Sequence, residues 1–207
     1  MEFTCAAQPG TGADDEADLV VTGSHFALVL GGAEEGCRHL GRWRTRALGG
    51  RLADELVRRP DAPLTALLDA ALAGVREFHH RQLCLGGAPG APSSVAVVRE
   101  RDGLLDLLVR GGAAALVQFP DVTVNAVLAP ADGGAPGGPA PEAAVGSLPV
   151  KDLSRVCLLG GGAHRMAEPY EAYWPYLFDR FATDGPGAVL TATPYRGAAA
   201  ALGTPRP

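Results

Sequence analysis

The 207-residue chain fits a single domain of the usual ~100–200 residues and is too short for two full ones. Its 47% hydrophobic and 20% charged residues exclude a disordered chain. The richest apolar stretch, Leu64 to Phe78, is broken by Thr65, Asp69 and Arg76, short of the roughly 20 apolar residues a membrane span needs. A formal net charge of −5 at pH 7 offers no general attraction to nucleic acid or anionic lipid.

In chain order, Met1 to Asp18 carries Glu2, Asp14, Asp15, Glu16 and Asp18 without a basic residue. Residues 1–18 therefore read as an acidic, flexible leader with no signal-peptide n-region, and a cytoplasmic protein is expected. Cys5, Cys37, Cys84 and Cys157 have no paired spacing, which predicts free thiols. Leu19 to Thr22 and Phe26 to Leu30 form two short apolar runs around Gly23-Ser24, the pattern of a hairpin. From Arg42 the period changes, with Trp43, Ala47, Leu48, Leu52, Leu56 and Val57 marking one helical face that Pro60 ends. Asp61 and Pro63 then open a second helix along Leu64, Leu67, Leu68, Ala71, Leu72, Val75 and Phe78.

Ser93 to Arg99 reads as a strand on its Val95, Val97 and Val98, followed by the turn Arg101-Asp102-Gly103. Leu104 to Arg110 and Ala113 to Phe119, joined by Gly111-Gly112, extend it to an antiparallel meander. Residues 129–149, rich in Ala, Gly and Pro, predict a mobile loop. Arg155 to Leu159 is another buried strand. Tyr170, Tyr173, Trp174, Leu177, Phe178 and Phe181 sit at helical spacing, as core or as an interface stripe, and Gly185 to Ala201 is an Ala-rich helix candidate. Strands in hairpins and helices in adjacent pairs define an α+β fold of antiparallel sheets covered by helices, one domain over residues 19–202.

Five segments in this order, "LVLGGAEE", "RWRTRALGGRLADEL", "PSSVAVVRE", "LLVRGGAAAL" and "RVCLLGGGAHR", resemble the type 2C metal-dependent protein phosphatases, in particular compact bacterial members, over Leu19 to Leu190. The resemblance implies a four-layer αββα sandwich, two antiparallel sheets flanked by helix pairs. It also implies aspartates at strand ends that hold two Mg²⁺ or Mn²⁺ ions and activate a water. Here those aspartates fall on glycine, at Gly31-Gly32, Gly111-Gly112 and within Gly160-Gly161-Gly162. The closing Asp-Asp strand is missing from "YRGAAAALGTPRP". No metal and no other cofactor is expected, because glycine offers only a backbone carbonyl.

Around that dismantled site, Glu34, Glu35, Cys37, Arg38 and His39 follow the first strand pair, and His164 and Arg165 follow the glycine triplet. They read either as solvated loop residues or as a new acid/base and anion-clamping set: Glu34, Glu35, His39, His164 and Arg165. His25 could project toward the same cleft from its turn. His79 and His80 read as a solvated helix end, and with Cys37, His39 and Cys84 they lack zinc-ligand spacing. Two functions follow: a noncatalytic, phosphatase-like subunit supporting a protein partner in a heteromer such as a biosynthetic enzyme, or a metal-independent enzyme performing proton transfer or phosphate or sulfate elimination on a small anionic substrate. A third, a metal relocated to Asp106 or Asp132, retains phosphatase chemistry.

Overall fold

A computed structural model of the chain describes residues 1–8, 18–33, 41–81, 92–129, 142–160, 174–191 and 198–206. Two five-stranded antiparallel sheets pack face to face. The first has the order β1 (Glu2–Ala7), β10 (Ala199–Thr204), β9 (Arg155–Leu159), β6 (Ala114–Gln118), β7 (Val124–Leu128). The second runs β2 (Leu19–Thr22), β3 (Phe26–Ala33), β4 (Pro92–Arg101), β5 (Leu104–Gly111), β8 (Ala144–Pro149). Helices α1 (Gly41–Arg58) and α2 (Leu64–Arg81) cover the outer face of the second sheet, and α3 (Trp174–Thr191) covers the first. This is the expected α+β, four-layer sandwich. Among the described residues, no helix is long and apolar enough to cross a membrane.

Alternation along the strands sorts side chains into three cores. Ala27 and Val29, Ala96 and Val98, Leu107 and Val109, and Val156 and Leu158 meet between the sheets. Leu28, Leu30, Val95, Val97 and Leu108 face outward onto Leu48, Leu52, Leu67, Leu68 and Val75 of the helix pair. Trp174, Leu177, Phe178 and Phe181 of α3 are buried against the first sheet, so these four members of the aromatic stripe are core. Tyr170 and Tyr173 lie outside the described residues. Arg101 pairs with Leu104 across Asp102-Gly103, both at positive φ (51° and 74°), as a two-residue hairpin turn of Asp-Gly requires.

Four sequence expectations change. Glu2–Ala7, within the supposed flexible leader, is edge strand β1 paired with β10. Residues 199–201, the end of the Ala-rich helix candidate that began at Gly185, belong instead to strand Ala199–Thr204 between β1 and β9. Both its faces are buried, and there small side chains suit tight layer packing more than helix propensity matters. Ala144–Pro149, within the supposed loop, is edge strand β8 on β5. Finally, β5 and β6 are not hairpin partners: Gly111, at φ 65°, carries the chain from one sheet to the other.

Candidate functional site

Strand register gathers the glycine positions at one end of the sandwich. Gly31, Ser94 and Gly111 stand side by side across β3, β4 and β5. Gly160 follows β9 in the facing sheet, where its N–H donates to Ala199 O at 2.9 Å. By alternation, residues 31, 94 and 160 face the space between the sheets, since Val29, Ala96 and Leu158 do.

A carboxylate occupies that space. Asp18, immediately before β2, is buried at 6% exposure. A Cβ on Gly31 would lie 1.9 Å from Asp18 Oδ1, and one on Gly160 would lie 2.0 Å from Asp18 Oδ2. The single side chain thus bridges the sheets through the volume that side chains at both glycines would fill. Ser94 Oγ donates to Gly31 O at 3.0 Å and closes the same corner. Gly112 differs, with nothing within 4 Å of the position of its Cβ.

Neither Asp18 nor Ser94 stood out in the sequence: Asp18 was merged with the acidic leader, and Ser94 read only as a strand residue. The available signal was an acid directly preceding an apolar run, too common to be specific. Glu34, Glu35, His39, His164 and Arg165 all lie outside the described residues, as do Cys37, Arg38 and Cys84. His25 sits in the β2–β3 turn, at the end opposite the glycines, where its carbonyl accepts from Glu100 N at 2.7 Å and its ring contacts Ser24 Oγ at 3.1 Å. It does not approach the cleft. His79 is no solvated helix end: it is buried beside Trp43, their ring centroids 6.4 Å apart.

The described residues at this corner do not supply the ligand set of the dinuclear site that the fold implies. Among the described residues, no group of three His, Cys, Asp or Glu side chains could hold a metal ion. Asp106 is committed elsewhere. Its Oδ2 accepts from Arg99 Nη2 at 2.7 Å, its Oδ1 accepts from Ser147 Oγ at 2.9 Å, and Arg101 Nε lies 3.5 Å away. Burial pushes this carboxyl up, but the hydrogen bonds from Arg99 and Ser147 and the two guanidinium charges outweigh that and hold it below the usual range. Asp132 lies outside the described residues. Of the cysteines, Cys157 is fully enclosed and burial pushes its thiol far up, while Cys5 is exposed.

No protein-family model and no curated protein matches the chain. Solved structures do. PppA, a key regulatory component of T6SS in Pseudomonas aeruginosa, is 14% identical with a TM-score of 0.62, covering 97% of this chain and 96% of its own. The Mycobacterium tuberculosis serine/threonine phosphatase PstP/Ppp is 14% identical with a TM-score of 0.60, covering 99% of each chain. A structure from the bacterial stressosome, a modular system that has been adapted to control secondary messenger signaling, is 15% identical with a TM-score of 0.54, covering 98% of this chain and 99% of that one. The chain has the fold of the type 2C, or PPM, serine/threonine phosphatases over nearly its whole length. Where the resemblance implies metal-binding aspartates on β3 and β9, it carries glycines enclosing the carboxylate of Asp18.

Proposed function

We propose that this protein is a noncatalytic, phosphatase-like subunit, a cytoplasmic pseudoenzyme that binds and supports a protein partner in a heteromer. The observation that carries this reading is the placement of Asp18 between Gly31 and Gly160. A dinuclear centre needs several anionic oxygen ligands converging on each ion, with positions left for water and phosphate. One carboxylate wedged into the ligand positions fills the corner without supplying such a set. The three cores are nonetheless densely occupied, so the scaffold has been kept while the site was altered. A scaffold in that condition is suited to binding, and a heteromeric enzyme of specialised metabolism is the assembly we favour.

The test is gentle purification of the tagged protein from its native cells, followed by native mass spectrometry of the intact species. A stoichiometric second polypeptide is the expected result. A bare monomer or homodimer, or Mn²⁺-dependent hydrolysis of a phosphomonoester by the isolated chain, would overturn the proposal.

A further inference from the structure

We propose a second site, for a small oxyanion, at Arg110 on the outer face of the second sheet. Register sets Arg110 beside Val95 and on the face of Leu108, where α1 and α2 pack, so it lies behind the sheet from Asp18. It is 6% exposed, and its Nε is buried without a hydrogen-bond partner. Among the described residues no carboxylate pairs with it. A guanidinium cannot shed its proton, so enclosure without a counter-ion is costly unless an anion comes to it.

A second buried side chain at this end of the layer has unspent hydrogen-bonding capacity. Helix α2 begins beside Ala62, whose carbonyl accepts from Arg99 at the far end of the sheet, and it runs back toward the glycine end. His79 closes its buried stripe at 3% exposure, and neither ring nitrogen has a partner. The local charge has the matching sign. Helix α1 starts here with no acid in its first turn and carries Arg46, exposed, ahead of its first acid, Asp54, while α2 ends on His79, His80 and Arg81, the last paired with Glu77. The positive end of the α1 dipole adds to these charges. The fork of Arg110 suits two oxygens of one carboxylate or phosphate group. The site does not depend on whether the chain is a subunit.

The isolated protein is titrated with inorganic phosphate and, separately, acetate, at ionic strength held constant with chloride, and Tm is followed. A saturable rise with either oxyanion that chloride does not produce is expected, and which one saturates identifies the group. Arg110→Met should lose that response while its ligand-free Tm equals or exceeds that of the wild type, because an apolar side chain replaces an unpaired buried ion. Arg110→Lys, which keeps the charge without the fork, should bind about tenfold more weakly, and it serves if the Met variant misfolds. No saturable response in the wild type, or the same response in either variant as in the wild type, would overturn the site.

Discussion

The two ends of the sandwich handle buried charge in opposite ways. At the end away from the glycines, Arg99 is almost wholly enclosed, yet it is matched by Asp106 Oδ2 at 2.7 Å and Ala62 O at 2.8 Å, with Ser147 holding the other carboxylate oxygen. This network ties the α1–α2 turn, β4, β5 and edge strand β8 together. At the glycine end, a carboxylate lies between the sheets and a guanidinium lies behind one of them, in separate compartments. At the first end the buried guanidinium has an opposite charge in place, although Arg99 Nε itself has no hydrogen-bond partner. The second holds Asp18, enclosed by Gly31 and Gly160, and Arg110, whose Nε has no hydrogen-bond partner.

The largest expected effect belongs to the satisfied end. Asp106→Ala strands the Arg99 guanidinium in the interior and releases Ser147, and removal of one member of a buried pair costs about 3–5 kcal/mol. Urea unfolding followed by circular dichroism measures it, and a loss below about 1 kcal/mol would place the anchor of the helix pair elsewhere.

At the glycine end the effects are smaller and coupled. Gly31→Ala and Gly160→Ala each put a methyl group where an Asp18 oxygen sits, and overpacking of this kind costs about 1–3 kcal/mol. Neither glycine has a positive φ, so steric crowding is the sole penalty. Combining either change with Asp18→Ala should recover much of the loss, a coupling that a double-mutant cycle reads directly. Strict additivity would mean that Asp18 does not occupy the corner in solution.

Acid sharpens the contrast. The Asp106 carboxyl is held below its ordinary value in the folded state, so its contribution to stability is fully present above the unfolded carboxyl value of about 3.9. That contribution is lost as pH falls through the folded value. Urea midpoints measured from pH 6 to pH 3 should drop more steeply for the wild type than for Asp106→Asn, and parallel curves would remove Asp106 from the acid response.

Periodic elements were legible in the sequence, and elements defined by their surroundings were not. The β2–β3 hairpin and α2 carry their own patterns: apolar runs around Gly23-Ser24, and a stripe from Leu64 to Val75 opened by Pro63. Strand β10 is alanine on both faces, and only the two layers enclosing it make it a strand. Strand β8 is a short edge whose order comes from β5. The glycine pattern pointed to an altered site, but its occupant could not be read. The relation of Asp18 to Gly31 and Gly160 spans more than a hundred residues and exists only once the two sheets face each other. Arg110 was hidden for a related reason, since the exit of its strand into the opposite sheet was taken for a hairpin.

The smallest effect bears most directly on why glycine stands at these positions. If glycine stands at all three positions because Asp18 demands the room, all three should resist a side chain. The structure separates them: Gly31 and Gly160 are crowded by the carboxylate, whereas Gly112 is exposed, has open space around its missing Cβ and has no positive φ. Gly112→Asp should therefore change stability by no more than about 0.5 kcal/mol, as surface substitutions do. Gly31→Asp adds a second carboxylate to an occupied corner and should cost more than Gly31→Ala. Equal tolerance at positions 31 and 112 would show that Asp18 swings away freely and that the glycines, not the carboxylate, define the altered site. Tolerance at 112 alone would show that packing around Asp18 now holds two of the three positions at glycine, while the third is unconstrained by its surroundings.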